Sequence, residues 1–202
     1  MFLMAAVFCL AIYSCKEKTA KPVAPEQQQP ASTTPDKPIS WLPVGDLLRE
    51  DIRKVDSFAG GILYKKEGKR KDSGFIRIEA FDKMAAQYFL LPDLDTSFFQ
   101  QHFNSTSLMD ETSGFLNFIY EAKDTVPALR KAVVYIKPSL QVDKVDRIYL
   151  EHESMQGDTL VQQKLTWAIE HYFIILTIKH PPKGETITSV EKVIWDPLSY
   201  GD

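Results

Sequence analysis

The chain has 202 residues, with 24 basic and 27 acidic side chains and a formal net charge of −3. That balance, with the two signs interspersed, argues against nucleic-acid binding, which needs a basic bias. Only two cysteines occur, Cys9 and Cys15, which is too few for a disulfide framework.

An apolar or small-residue run from Phe2 to Tyr13 opens the chain, followed by Ser14 and Cys15. It is too short to cross a hydrocarbon core of about 30 Å, which takes about 20 residues. Its length matches the apolar region of a secretory signal. The tetrad Ile12-Tyr13-Ser14-Cys15 resembles the lipobox of bacterial lipoproteins, a branched aliphatic and two small residues before cysteine. Tyr13 is bulkier than the usual residue there, and no Lys or Arg precedes the apolar run. The resemblance implies a signal over residues 1–14 that is cut away, and a diacylglyceryl thioether on Cys15. The new amine would take a further chain such as palmitate. Each buried methylene contributes about 0.8 kcal/mol, so two or more acyl chains hold a protein at a bilayer stably. Cys9 would leave with the signal, so the mature chain would carry no free thiol.

Residues 15–40 change character. Pro22, Pro25, Pro30, Pro35 and Pro38 stand among Lys, Gln, Ser, Thr and Ala. Such a segment buries too little surface to offset its ordering entropy, and it reads as a disordered tether. Extended as polyproline II it would reach about 75 Å.

Residues 41–202 form one domain of ordinary size. Asp46 caps an expected helix in which Leu48, Ile52 and Val55 recur on one face, ending near Gly60-Gly61. Ile62 to Tyr64 and Phe75 to Ile78 flank a polar stretch, Lys65 to Ser73, and predict a hairpin. Phe81, Met84, Ala85, Tyr88 and Phe89 predict a second helix, which Pro92 ends. Asp95 caps a third, short helix that buries Phe98, Phe99 and Phe103.

Six strands follow, over 115–121, 131–136, 145–153, 159–167, 172–180 and 186–195, each rich in β-branched and aromatic residues. Val161, Gln163, Leu165 and Trp167 alternate with Leu160, Gln162, Lys164 and Thr166. Gln156-Gly157-Asp158 and Pro181-Pro182-Lys183-Gly184 supply turn chemistry. Short links between strands require antiparallel neighbours. The fold class is therefore α+β, with N-terminal helices and a hairpin packed on a long antiparallel β-meander.

Few groups suggest chemistry. Glu151-His152-Glu153 is the densest ionisable cluster, with His171 and His180 expected on later strands. Alternation turns His152 away from both glutamates, so no metal ligand set is expected. Neither a Gly-x-Ser-x-Gly elbow nor a Ser-x-x-Lys helix start occurs, and lipidation removes Cys15 as a nucleophile. No catalytic residue is named and no enzyme activity is expected. Lys65, Lys66, Lys69, Arg70 and Lys71 crowd the expected hairpin tip and are candidate anion-binding residues for lipid headgroups or an acidic glycan. The competing reading of the tip is a solvated, edge-protecting charge cluster. Phe98, Phe99, Phe103, Phe115 and Phe118 crowd the passage from helices to sheet, either as core or as the lining of an apolar cavity. Asn104-Ser105-Thr106 matches an Asn-glycosylation acceptor. Asp124-Thr125-Val126 and Asp158-Thr159-Leu160 resemble O-glycosylation sites of Bacteroidota envelope proteins, at expected loops.

Taken with the lipobox and tether, three stretches resemble uncharacterised lipoproteins of Bacteroidota. They are Phe89-Leu90-Leu91-Pro92-Asp93-Leu94-Asp95, Gly157-Asp158-Thr159 through Leu165-Thr166-Trp167, and Val193-Ile194-Trp195-Asp196. The resemblance implies a lipid-anchored protein of the cell envelope, at the outer membrane, and supplies no cofactor. The expected role is a noncatalytic module that binds an envelope protein or glycan; the alternative is a carrier or chaperone for lipid or another apolar ligand.

Overall fold

A computed structural model describes residues 41–56, 60–91, 94–125 and 128–199. The expected signal (1–14), Cys15 and the expected tether to residue 40 lie outside the described residues. Helix α1 (Val44–Asp56) begins two residues before Asp46, so Asp46 sits in its first turn and not at its cap. There its carboxylate faces the positive end of the helix dipole, and Arg53 and Lys54 face the negative end. Val44, Leu48, Ile52 and Val55 form the buried stripe.

The expected hairpin is present as β1 (Ile62–Glu67) and β2 (Asp72–Ile76). Its strands run further than the apolar residues indicate, because the ladder pairs Lys65 with Ser73 and Lys66 with Asp72. Helix α2 (Ile78–Phe89) buries Phe81, Ala85 and Phe89. Helix α3 (Thr96–His102) has the expected cap, with the Ser97 N–H donating to the Asp95 carboxylate. Phe103 lies beyond that helix and opens a strand, β3 (Phe103–Asp110), which periodicity does not announce. The meander continues through β4 (Phe115–Ala122), β5 (Leu129–Lys137), β6 (Lys144–Gln156), β7 (Thr159–Ala168), β8 (Tyr172–His180) and β9 (Ile187–Ile194). Each expected strand is present within a few residues of its predicted ends.

Among the described residues, nine strands join one antiparallel sheet in the order β2-β1-β9-β8-β7-β6-β5-β4-β3. The N-terminal hairpin thus adds beside the last strand, with Tyr64 opposite Val193. Strand outweighs helix in this domain, in line with an α+β fold in which helices pack on a sheet. The β6–β7 turn is held by Gly157 at φ 60°, the left-handed position that opens a two-residue hairpin loop.

Helices and sheet meet in two aromatic clusters. In the first, Phe81 and Phe89 of α2 pack on Trp167, Phe173 and Trp195; the Trp167 ring lies 5.0 Å from Phe89, 5.3 Å from Phe173 and 5.1 Å from Trp195. Trp167, within β7, and Trp195, one residue past β9 and not on the expected strand, are 0% and 3% exposed, buried as expected. In the second, Phe99 packs 4.8 Å from Phe103 and 5.0 Å from Tyr120. Trp41 stacks on Tyr120, and the Leu42 N–H donates to its phenol oxygen at 3.0 Å. The entry to the domain is thereby fastened to β4.

Candidate functional site

Helical spacing puts Asp51 on the buried stripe of α1, between Leu48 and Val55. It is 2% exposed, an unusual place for a carboxylate. Its Oδ2 accepts the Trp167 indole N–H at 2.7 Å and the Glu170 backbone N–H at 2.9 Å. Glu170 adopts φ 68° in the short loop between β7 and β8, a left-handed conformation uncommon outside glycine. Its backbone N–H reaches Asp51 from there. Burial pushes the Asp51 carboxyl above its ordinary value, and the Glu170 and Trp167 donors together with nearby Lys54 oppose that rise. Asp51 Oδ1 is also buried, and no group among the described residues bonds to it.

A cleft of about 710 Å³ opens beside this carboxylate. Leu47, Glu50, Asp51 and Lys54 of α1 form one wall, the β5–β6 connection from Lys137 to Asp146 another, and Ile169, Glu170 and His171 the third. Lys54 Nζ lies 3.2 Å from Glu170 and 4.0 Å from Glu50. The Glu170 bond, set against desolvation, leaves the Lys54 ammonium with a raised pKa. The lining is thus ionic on three sides, with Leu47, Val142, Val145 and Ile169 interspersed.

His171 stands at the rim, in the β7–β8 loop and not on a strand as expected, because the β8 ladder begins at Tyr172. Its Nδ1 donates to Asp196 Oδ2 at 2.8 Å. The Leu198 N–H and the Ser199 hydroxyl bond the same carboxylate at 3.0 and 3.1 Å. With the Leu198 bond contributing most and His171 next, these donors hold the Asp196 carboxyl below its ordinary value. An imidazole oriented in this way can move a proton. Ser199 bonds to the carboxylate and not to the ring, so the arrangement differs from a nucleophile–base pair, in which the base takes the hydroxyl proton.

Three of the five hairpin cations, Lys65, Lys66 and Lys71, line one shallow surface together with acidic side chains. Lys69, Arg70 and Lys71 lie exposed at or beside the tip, while Lys65 and Lys66 are neighbours in the β1 ladder and face opposite sides of the sheet. Lys66 Nζ is held by Glu191 at 3.1 Å, with the Tyr64 hydroxyl on the same carboxylate at 2.9 Å. The shallow surface of about 390 Å³ there mixes Lys65, Lys66 and Lys71 with Glu67 and Asp72.

Elsewhere, Glu151 accepts from the Tyr149 hydroxyl and Glu153 from Gln162, each a cross-strand or same-strand pairing. No three His, Cys, Asp or Glu side chains among the described residues are placed to hold a metal ion. The phenylalanine group divides: Phe98, Phe99, Phe103 and Phe118 join the core, whereas Phe115 lies under the Arg147 guanidinium, 5.6 Å from its ring centre. Asn104 of the glycosylation-like triplet stands within the β3 ladder opposite Glu121. Asp158 lies in a turn, and Asp124-Thr125 in a bend, with Val126 outside the described residues. Periodicity passed over Asp51, Lys54 and Glu170. The one available signal was an acidic residue interrupting the apolar face of α1.

No family model matches the chain, and no curated protein matches it. No helix among the described residues is long and apolar enough to cross a membrane.

Proposed function

We propose that this chain is a lipid-anchored protein of the cell envelope, held by Cys15 at the outer membrane of a Bacteroidota-like cell. On this reading its domain binds a polar envelope partner, protein or glycan, without catalysis. The anchor rests on the lipobox-like Ile12-Tyr13-Ser14-Cys15 and the proline-rich segment after it. The observation that carries the binding role is the open cleft of about 710 Å³ lined by Glu50, Lys54, Asp143, Lys144, Asp146 and Glu170, a mixed-charge surface suited to a polar ligand. The carrier reading draws less support, because Phe99, one of the rings that would line an apolar cavity, packs 4.8 Å from Phe103 and 5.0 Å from Tyr120.

Three measurements test this proposal. Fractionation of Cys15→Ala cells should release the protein from membranes; a variant that stays firmly bound overturns the anchor. A pull-down from envelope extract should recover a partner with the wild-type chain and lose it with Lys54→Glu. Equal recovery rules out the cleft as the binding surface, and stoichiometric lipid in an organic extract of the purified protein replaces the binding role with a carrier role.

A further inference from the structure

The two edges of the sheet are built differently. Edge strand β2 is five residues long, carries Gly74 within it, begins at Asp72 and follows Lys69, Arg70 and Lys71. Short length and charge are the usual protection of an exposed edge. Edge strand β3 has neither. It spans eight residues, Phe103-Asn-Ser-Thr-Ser-Leu-Met-Asp110, and pairs with β4 in unbroken register from Phe103↔Ala122 to Asp110↔Phe115. It contains no lysine, no proline and no bulge, and its single charge is at its last residue. Leu108 and Met109 are 44% and 52% exposed. Phe103 N–H caps α3 by donating to the Phe99 carbonyl, and among the described residues no backbone bond from outside the β3–β4 ladder reaches Asn104 to Met109. Half of the strand's N–H and C=O groups therefore face outward along an open, uncharged template.

We infer that the β3 edge pairs antiparallel with the β3 edge of a second copy of this chain, joining two nine-stranded sheets about a two-fold axis. The sequence of the strand suits its own copy. Directly opposed residues in a ladder point to the same face, so the axis passes Thr106 or Ser107, each then opposite itself. In the first register Asp110 lies beyond Phe103 of the second copy, next to His102. In the second it lies opposite Asn104. In neither does the strand's one charge meet its own image, and hydroxyl side chains occupy the centre, where Thr and Ser pairs hydrogen-bond across strands. Leu108 and Met109 gain cover from the added strand. The chain's own proline-rich segment is a poor occupant, because Pro22, Pro25, Pro30, Pro35 and Pro38 each lack the N–H that a ladder needs. One edge pairing buries less than a standard stable interface, so the dimer is weak in dilute solution and favoured where chains are concentrated.

The test is disulfide trapping in cells with the full-length chain carrying Thr106→Cys or Ser107→Cys, with wild type and Ser73→Cys on the opposite edge as controls. On a non-reducing gel, one of the two β3 variants should give a dimer band that wild type and Ser73→Cys lack. Adding Leu108→Lys should remove that band while the thermal melt of the domain stays unchanged. Absence of a dimer band from both β3 variants overturns the pairing, as does a cross-link to a different polypeptide in its place. As an independent arm, sedimentation of the detergent-solubilised wild-type chain should show concentration-dependent dimer, and a monomer at all concentrations overturns it. Neither arm depends on Cys15 acylation or on the cleft, and the wild-type lane reveals any cross-linking through the native cysteines.

Discussion

Asp51 is subject to two opposed tendencies: desolvation disfavours its charge, while two N–H donors favour it. Asp51→Ala would leave the Trp167 indole and the Glu170 amide without their acceptor. Unpaired buried donors cost about 1–3 kcal/mol each, so the variant should lose about 2–6 kcal/mol. That corresponds to a Tm lower by roughly 4–24 °C for a domain of this size. Asp51→Asn keeps one oxygen for both donors and should melt near wild type. The pH dependence separates the two effects. Because the folded Asp51 pKa lies above the unfolded one, the folded chain holds an extra proton between the two values. Stability from this group is therefore present below its ordinary value and declines as pH rises through the raised one. Asp51→Asn lacks that decline, so denaturant unfolding from pH 3 upward should show it gaining on wild type. A stability difference constant across that range would show that Asp51 titrates normally. Asp196 runs the other way: its lowered value adds stability above the ordinary carboxylate range, which is lost as pH falls through it.

Among the elements, the hairpin β1–β2 is the outlier, joined to the meander through β9 alone. Its main polar link is Glu191, which takes both the Tyr64 hydroxyl and Lys66 Nζ. Burial, followed by that hydrogen bond, raises the Tyr64 phenol pKa far beyond its ordinary value, so Tyr64 stays a donor at any physiological pH. Glu191→Ala should increase amide exchange across residues 62–76 by opening this seam locally, with β5 to β7 unchanged. Uniform exchange across the sheet would mean that the hairpin opens only by global unfolding. The same elements mark what could be read from sequence. Strands β4 to β9 were legible because one face of each packs on a core and the alternation survives. Strand β3 was not, since Asn104 to Ser107 are polar on both faces of an edge strand, where only Phe103 is fully buried. The hairpin's length was underestimated because Lys65 and Lys66 pair through their backbones, a bond that side-chain hydropathy does not encode. The cleft was hidden for a different reason: Asp51, Asp143 and Glu170 are far apart in sequence and meet only once the sheet forms.

At the scale of the whole molecule, the topology joins the first and last strands of the domain. The meander from β3 to β9 is built from neighbouring hairpins, but β1, on the side away from β2, pairs with a strand about 130 residues further on, as the Tyr64–Glu191 bond records. Closing so long a loop costs entropy that no local contact offsets beforehand. Sheets dominated by such pairings fold in milliseconds to seconds. The meander should therefore form first around Trp167 and Phe173, and the hairpin should dock after the main barrier. Ile62 in β1 and Leu165 in β7 provide the comparison, being 6% and 1% exposed. Truncating either to alanine costs about 2–5 kcal/mol, well above the 0.6 kcal/mol or so needed for a reliable ratio of kinetic to equilibrium change. Contacts made after the barrier affect unfolding, and contacts made before it affect folding. In stopped-flow denaturant experiments, Ile62→Ala should accelerate unfolding and leave refolding nearly unchanged, whereas Leu165→Ala should slow refolding. Equal slowing by both substitutions would place the β1–β9 closure within the folding nucleus and reverse this order of events.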